Sequence, residues 1–286
     1  MKNVLEGKII KGVGGRYKVL SDGKVYNCTA RGKIKLSDKL FVGDNVSFCA
    51  ERGNWNILNI NPRKNLLIRP YVANVDLLVI VVSPLPEPDW ILVDKLLISA
   101  SKSGVDTLIC YNKTDLSIGE YQYMQKTYGE ICKCINVSAE TGENINELVA
   151  RLYGVVCFAG QSAVGKSSLL NRLCRAEQEV GGLSKIDRGR NTTRHIEIFN
   201  LFDDVYAVDT CGFSLFDLQD VDERELALFY PDFLELGRCK FNMCTHRDEP
   251  ECVIKESVEK GILDRGRYER YLAIYDEIKE NRLRGR

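Results

Sequence analysis

Short apolar runs broken by polar turns fill the first part of this 286-residue chain. Apolar and polar positions alternate within each run, and Gly, Asn or Asp separates one run from the next, which predicts short β-strands. Several such strands within residues 1–62 predict a small barrel of the OB type. The predicted strands are Gly7–Lys11, Arg16–Leu20, Lys24–Thr29, Asn45–Ala50 and Ile57–Ile60.

The pattern changes after Asn61–Arg69, a segment that we interpret as a linker. Continuous apolar runs now alternate with amphipathic helical segments, which is typical of a largely parallel sheet with helices on both faces. The predicted strands are Val75–Ser83, Val105–Tyr111, Ile131–Ser138, Val155–Ala159 and Val205–Val208. The predicted helices are Asp89–Ser103, a segment near Gly119–Gly129, Asn144–Tyr153 and Ser167–Leu173.

The last part of the chain is predicted to be helical, over Asp222–Leu236, about Val253–Lys260 and Asp264–Asn281. One face of the last helix is apolar and is predicted to pack against the rest of the protein. It carries Tyr268, Tyr271, Leu272, Tyr275 and Ile278. We expect Arg265, Arg267 and Arg270 to face outward, as solvated charges or as contacts to RNA phosphates. The chain is thus predicted to be a multidomain α/β protein with domains at 1–62, 63–217 and 218–286.

Positive charge is concentrated in the predicted barrel. The chain has 40 basic and 40 acidic residues, but residues 1–62 hold 11 Lys or Arg against 5 Asp or Glu. A basic loop, Arg31–Lys39, crosses one side of the barrel, as expected if a polyanion such as RNA binds there. The candidate stacking platforms are Tyr17, Tyr26, Phe48 and Trp55, and we expect at least two of them to be core residues instead.

The composition also indicates the cellular compartment. No apolar run approaches the roughly 18 residues that a membrane span needs, and the first residues lack a signal-peptide core, so we expect a cytoplasmic protein without a membrane partner. Thiols stay reduced in that compartment, and eight of the eleven cysteines are therefore predicted to be small buried hydrophobic residues.

A phosphate-binding loop follows the predicted strand Val155–Ala159, with the spacing G-x-x-x-x-G-K-S. Its backbone N–H groups can surround a β-phosphate, Lys166 can bridge the β- and γ-phosphates, and the Ser167 hydroxyl can ligate Mg²⁺. The predicted nucleotide-binding residues of this loop are Gly160, Gln161, Ser162, Ala163, Val164, Gly165, Lys166, Ser167 and Ser168.

Another loop can select guanine. Asn112, Lys113 and Asp115 form an N-K-x-D tetrapeptide with Thr114 after a predicted strand. Asp115 can accept from the ring N–H and the exocyclic amine of guanine, whereas adenine offers a lone pair there. Lys113 can lie along the base, Asn112 can tie this loop to the phosphate loop, and a backbone N–H at Ser138-Ala139 can reach the guanine carbonyl. The tetrapeptide argues against an ATPase or a small-molecule kinase.

The order of these motifs is permuted relative to ordinary regulatory GTPases, in which the phosphate loop comes first. Downstream of the phosphate loop lie Thr192 and Thr193, one of which can ligate Mg²⁺, and then Asp209 and Gly212 of a D-x-x-G motif. Asp209 can hold a water on Mg²⁺, and the Gly212 N–H can meet the γ-phosphate. This order predicts a circularly permuted GTPase domain whose last loop runs directly into the C-terminal domain.

Three cysteines and a histidine cluster near the C-terminus with the spacing C-x4-C-x-H-x5-C. Three thiolates and one imidazole suit a closed tetrahedral site for one structural zinc ion, and reduced buried thiols are the alternative. The predicted ligands are Cys239, Cys244, His246 and Cys252.

This combination of an N-terminal barrel, a permuted G domain and a C-terminal cysteine–histidine module resembles the RsgA family, also called YjeQ or YloQ. The resemblance covers essentially the whole chain. It implies GTP hydrolysis that is stimulated by the small ribosomal subunit during late maturation of that subunit, and a barrel and a zinc module that both contact ribosomal RNA. The motifs themselves predict the use of GTP, GDP and Mg²⁺. We expect a monomer.

The chain departs from the family pattern at several positions. Ala163 stands where glycine is usual, and alanine should be tolerated there if its φ is negative. Cys211 replaces a proline, and Asn191 stands where a histidine is often found, with His195 as a candidate substitute. Phe213 follows Gly212 where many GTPases have a water-orienting glutamine, which predicts slow intrinsic turnover until RNA reorders Ser184–Arg194. The alternative function is a nucleotide-sensing RNA-binding switch with incidental hydrolysis.

Overall fold

The first five strands of the computed structural model close into a barrel. The structure describes residues 3–30, 39–51, 53–68, 71–180, 196–209, 218 and 221–284. Antiparallel pairs join β1 to β2, β2 to β3, β4 to β5 and β1 to β4, and a parallel β3–β5 pair completes the ring. The interior holds Ile9, Val19, Cys28, Val46, Phe48 and Ile57. The predicted OB-type barrel is confirmed, with strands β1 Val4–Val13, β2 Arg16–Ser21, β3 Lys24–Ala30, β4 Asn45–Glu51 and β5 Asn54–Ile60.

The predicted linker is an ordered joint. The Asn65 amide donates to the Val75 carbonyl and accepts from the Val75 N–H, at 2.8 and 2.9 Å. Arg63 forms an ion pair with the buried Asp44 of the barrel. Two short strands, β6 Leu66–Leu67 and β7 Val72–Ala73, pair within it. These contacts hold the barrel against the next domain.

The second domain contains a sheet with the strand order β10-β9-β8-β11-β13-β12, parallel except for β12. Its strands are β8 Leu77–Val82, β9 Asp106–Tyr111, β10 Lys133–Asn136, β11 Val155–Ala159, β12 Glu197–Phe202 and β13 Val205–Asp209. Its helices are α1 Trp90–Ser103, α2 Gly119–Tyr128, α3 Ile145–Val149 and α4 Lys166–Val180. The parallel α/β arrangement is confirmed.

Strand β12, which the sequence patterns did not indicate, connects this sheet to the barrel. Lys11 of β1 lies opposite Glu197 of β12 in an antiparallel pairing, and their side chains form an ion pair of 2.5 Å. One sheet therefore runs through both domains.

Helices make up the C-terminal part, namely a 3₁₀ turn at Leu226–Phe229, α5 Pro231–Glu235, α6 Val253–Glu259 and α7 Arg265–Arg284. The prediction of a single helix over Asp222–Leu236 was wrong. Tyr230 is extended (φ −112°, ψ 90°), because the following Pro231 disfavours helical geometry at this position. The predicted packing face of the last helix is confirmed, since Tyr271, Tyr275 and Ile278 are buried.

The expectation that Arg267 and Arg270 face outward was also wrong. Both side chains bind the fully buried Asp94 carboxylate of α1, at 2.6 and 2.7 Å, and Arg267 also pairs with Asp232. Arg265, by contrast, is exposed. A buried carboxylate from another domain draws the two arginines inward, which helical periodicity within α7 does not reveal.

Of the eight cysteines predicted to be buried hydrophobic residues, four are buried and three partly buried, and Cys211 lies outside the described residues. The buried ones are Cys28, Cys49, Cys110 and Cys157. In the described parts of the chain, no helix combines the length and the apolar character needed to cross a bilayer.

Candidate functional site

The predicted nucleotide-binding loops meet at one edge of the parallel sheet. The phosphate loop follows β11, the N-K-x-D tetrapeptide follows β9, and Ser138-Ala139 follows β10. The carboxyl ends of parallel strands lie on the same edge, which is where ligands bind in open α/β sheets. The topology thus brings together loops that are distant in the chain, as the contact between Asn112 and Val164, 52 positions apart, shows.

Two glycines give the phosphate loop its shape. Gly160 has φ +135°, and a Cβ there would lie 2.1 Å from the Val81 carbonyl oxygen. Gly165 has φ +94°, and its Cβ would lie 2.4 Å from Nδ2 of Asn112. Helix α4 then begins, with the Leu169 N–H donating to the Gly165 carbonyl at 2.8 Å. The loop N–H groups and the helix N-terminus can together receive a phosphate.

Asn112 joins three loops. Its Nδ2 donates to the Val164 carbonyl of the phosphate loop at 3.0 Å, and its Oδ1 accepts from the Ala139 N–H at 3.1 Å. The side chain is buried, so each of these bonds is shielded from water. The predicted tie between guanine loop and phosphate loop is confirmed. A guanine carbonyl that approached the Ala139 N–H would have to share it with Asn112.

The other residues of the tetrapeptide are also anchored. Lys113 has φ +66°, and its ammonium donates to the carbonyls of Leu85 and Ala163 at 2.6 and 2.7 Å. Asp115 accepts from the Ser138 hydroxyl, which itself accepts from the Thr141 N–H. These bonds hold Asp115 next to the Ser138-Ala139 loop, where it can face a base edge.

Lys166 and Gln161 link the phosphate loop to its surroundings. The Lys166 ammonium donates to the carbonyls of Gly160 and Gln161, and burial lowers the pKa of Lys166. Oε1 of Gln161 accepts from the Asp89 N–H at 2.9 Å, and the Asp89 carboxylate in turn caps α1 at Leu92. The motif spacing gave no sign of the contact between Gln161 and Asp89, because Asp89 lies 72 positions earlier.

Ala163 does not have the negative φ that would let alanine replace glycine here without strain. Its φ is +65°, in the left-handed region. This conformation costs an alanine roughly 1–2 kcal/mol because Cβ crowds the following carbonyl oxygen. The carbonyl of Ala163 accepts from Lys113, and this contact helps to hold the strained geometry.

Some of the predicted site residues lie outside the described part of the chain. Thr192, Thr193 and Gly212 lie outside the described residues, as do Asn191, His195, Cys211, Phe213 and the rest of Ser184–Arg194. Most of the basic loop Arg31–Lys39 is also outside them. Asp209 ends β13, directly beside β11, although its side chain is outside the described part. Ser162, Ser167 and Ser168 are exposed at the loop and the start of α4.

The cysteine–histidine cluster is assembled in the C-terminal part. The ligand atoms of Cys239, Cys244, His246 and Cys252 all lie within 4.8 Å of one another. Sγ of Cys239 lies 3.8 Å from Sγ of Cys252, and Nδ1 of His246 lies 3.5 and 3.4 Å from these two sulfurs. A tetrahedron with Zn–S bonds of about 2.3 Å has S···S edges of roughly 3.8 Å. The donor set and its spacing therefore fit a zinc ion.

A hydrogen-bonded loop positions the cluster. The Glu249 carboxylate accepts from the N–H groups of Thr245 and Arg247, and these bonds help to lower the pKa of Glu249 to about 2 despite its partial burial. Burial lowers the pKa of His246, which favours the neutral imidazole that a metal requires. The Tyr271 hydroxyl of α7 donates to the Thr245 carbonyl and joins the loop to the core.

Comparison with known proteins shows close relatives over the whole length. The family model described as RsgA GTPase matches residues 60–219, and the RsgA N-terminal domain matches residues 6–57. The small ribosomal subunit biogenesis GTPase RsgA of Geobacillus sp. is 40% identical, over 98% of this chain and 99% of that protein. The protein of the same name from Ruminiclostridium cellulolyticum is 38% identical, over 96% and 94%.

Two solved structures share the fold. The crystal structure of YjeQ from Thermotoga maritima has a TM-score of 0.84 and 33% identity, and the match covers 96% of this chain and 99% of that one. The structure of YloQ, a circularly permuted GTPase, has a TM-score of 0.80 and 31% identity, with coverages of 98% and 96%.

Proposed function

The chain belongs to the RsgA GTPase family, and we propose that it hydrolyses GTP to GDP and phosphate in the late maturation of the small ribosomal subunit. One observation carries the nucleotide part of this proposal. Asn112 links the guanine loop to the phosphate loop through the Val164 carbonyl, so a single nucleotide can occupy both.

We assign the binding roles as follows. Asp115 and Lys113 hold guanine, with Ser138 orienting Asp115 through its hydroxyl. The N–H groups of the loop from Gly160 to Gly165 and the ammonium of Lys166 hold the phosphates. Positioning and neutralisation of charge supply most of the catalysis in phosphoryl transfer.

As a GTPase, the protein is proposed to use GTP, GDP and Mg²⁺. The residues that would hold Mg²⁺ are Ser167, Thr193 and, through a water molecule, Asp209. Ser167 lies at the start of α4, beside the phosphate loop. A bound Mg²⁺ supplies positive charge to the phosphates. Gly212 is assigned to the γ-phosphate.

One zinc ion is proposed for Cys239, Cys244, His246 and Cys252, supported by the distances between their ligand atoms. All four positions of a tetrahedron are then taken by protein atoms, so the role of this ion is structural. It would hold the segment between α5 and α6 against the aromatic core of the C-terminal part.

The partners follow from the family and the charge. We propose that the small subunit and its ribosomal RNA bind the basic barrel of residues 1–62, that they stimulate hydrolysis, and that the protein acts as a cytoplasmic monomer without a membrane partner. The proposed division into domains at 1–62, 63–217 and 218–286 leaves one boundary at the ordered joint that contains Arg63 and Asn65.

The deciding experiment measures GTP hydrolysis by the purified protein with and without small ribosomal subunits. We expect slow turnover alone and a large stimulation by subunits, with GTP but not ATP competing for the site. Lys166→Ala should abolish binding or turnover. Equal turnover with and without subunits would contradict the proposed role.

Single-turnover kinetics separate an assembly GTPase from a nucleotide-sensing switch with incidental hydrolysis. If subunits accelerate the chemical step itself, hydrolysis is part of the function. If subunits change only nucleotide release, the switch is the better description.

A further inference from the structure

A cavity of about 280 Å³ opens where the first hairpin of the barrel meets the joint to the GTPase domain. We call it the hairpin pocket. One side is the turn between β1 and β2, the other is an aromatic wall, and Ile196, directly before β12, closes the end. The lining residues that matter here are Gly14, Gly15, Lys39, Phe41, Tyr71 and Ile196.

The wall is a pair of stacked rings. The centroids of Phe41 and Tyr71 are 5.2 Å apart, with an angle of 20° between the ring planes. The Arg63 guanidinium lies 4.9 Å from the Phe41 centroid and supports that ring. Tyr71 is 43% exposed although one side of its ring is stacked on Phe41. The wall therefore presents a braced aromatic ring to solvent.

A cation completes the wall. The Lys39 ammonium lies 5.4 and 5.3 Å from the centroids of Phe41 and Tyr71. An aromatic face flanked by positive charge is the combination that binds single-stranded nucleic acid, by stacking on the base and attraction of the phosphate.

The opposite side of the pocket is formed by two glycines, which have no side chains. Gly14 and Gly15 have φ of +57° and +78°, and a Cβ on either would meet no atom within 4 Å. These glycines are thus required by the turn, and the absence of side chains also leaves room for a flat ring. The volume lies just below the roughly 300 Å³ at which pockets for larger ligands begin, which suits a single base.

We propose that the hairpin pocket holds one unpaired nucleobase of RNA, stacked on Tyr71 with its phosphate near Lys39. The proposal rests on the proposed function, since it names the part of the barrel that reads RNA. The excess of positive charge in residues 1–62 favours a polyanion over a protein segment as the occupant.

The position of the pocket relates RNA binding to hydrolysis. Ile196, which lines it, follows Thr193 by three residues in the chain and precedes Glu197, the partner of Lys11 across the sheet. A base in the pocket would therefore contact the chain next to the segment assigned to Mg²⁺.

The test uses full-length protein and a single-stranded RNA oligonucleotide that carries 2-aminopurine, whose fluorescence falls when it stacks. Tyr71→Ala should weaken binding by about tenfold, equivalent to about 1.4 kcal/mol at 25 °C, and should abolish the quenching. Tyr71→Phe should preserve both, and Val25→Ala, at a residue of the same barrel that is 52% exposed, serves as the matched control. Unchanged affinity and quenching in Tyr71→Ala would overturn the proposal.

Lys39→Glu provides a second variant at an exposed position, where folding should not be affected. It should weaken oligonucleotide binding and reduce its salt dependence. If Tyr71→Ala weakens binding to small subunits but not to the oligonucleotide, the pocket docks protein and the proposal fails. If wild-type hydrolysis is not stimulated by subunits, the proposed function fails, and the oligonucleotide titration still decides the pocket separately.

Discussion

Asp94 and Arg267 form an ion pair in which Oδ1 and Nη1 are 2.6 Å apart, although they lie 173 positions apart in the chain. Their side chains are 0% and 2% exposed. The Tyr128 hydroxyl donates to the same carboxylate oxygen, and Arg270 donates to the other. Helix α1 of the GTPase domain is thereby fastened to helix α7 of the C-terminal domain.

Asp94→Ala should destabilise the protein by about 3–5 kcal/mol, because it leaves buried arginine charge without its main partner. Urea unfolding monitored by circular dichroism measures this. Lys95→Ala on the same helix removes an ion pair with the more exposed Glu277, and should cost less than about 1 kcal/mol. Equal midpoints for the two variants would show that the buried pair does not dominate the contact.

Asn112→Ala should weaken GTP binding by at least about tenfold. It removes two buried hydrogen bonds, each with a net value of about 0.5–1.5 kcal/mol, and leaves the Val164 carbonyl and the Ala139 N–H unpaired. Titration with a fluorescent GTP analogue measures the affinity. Asn200→Ala, in β12, removes a hydrogen bond to the Asp203 carbonyl and should leave the affinity unchanged. Retained affinity in Asn112→Ala would contradict the assigned role.

Ala163→Gly should stabilise the protein by about 0.5–1 kcal/mol, since relief of a left-handed alanine outweighs the entropy that glycine loses on folding. Thermal unfolding reports the change. Ala150→Gly is the control, because Ala150 has a helical φ of −62° and glycine there should be destabilising. A lower midpoint for Ala163→Gly would mean that the loop tolerates the positive φ without strain.

Asp115→Asn should shift preference from guanine towards xanthine nucleotides. Xanthine has a carbonyl where guanine has its exocyclic amine, and the asparagine amide can donate to it. Competition between the two triphosphates for one labelled nucleotide measures the shift. Asp203→Asn, in the turn before β13, should retain guanine preference. If Asp115→Asn does so too, Asp115 is not the residue that reads the base.

Metal analysis should find one zinc ion per chain, and Cys252→Ser should lose it together with the packing of the C-terminal part. A tetrahedral zinc site needs four ligands, and the cluster supplies only three thiolates and one imidazole, so the loss of one thiolate should release the metal. Near-ultraviolet circular dichroism reports the aromatic packing around Tyr271. Cys174→Ser, at a cysteine outside the cluster, should keep the metal. A metal-free wild type with intact packing would refute the zinc assignment.

The sequence predicted the parts of the fold that depend on local pattern. Strand β11 was predicted with its observed bounds, because an apolar run followed by a glycine loop leaves little ambiguity. The barrel and the joining of Asn112 to the phosphate loop followed from strand spacing and motif order. The single helix expected over Asp222–Leu236 is interrupted, because Pro231 disfavours helical geometry at Tyr230.

Long-range contacts account for what the sequence did not predict. The core packing expected for at least two of the candidate platforms is observed for Tyr26, Phe48 and Trp55, whose ring centroids lie 4.7–5.6 Å apart. The aromatic wall of the hairpin pocket is built from Phe41 and Tyr71, which belong to different predicted domains, 1–62 and 63–217. No periodicity connects residues 30 positions apart, just as none connects Asp94 with Arg267.

The pairing of Lys11 with Glu197 has a consequence for any attempt to divide the protein. A chain that began after the barrel would present the start of β12 as a bare strand edge, with unpaired backbone groups of the kind that recruit neighbouring chains. Such a truncated protein should self-associate in solution. By pairing with the start of β12, the barrel therefore also protects the GTPase domain from aggregation.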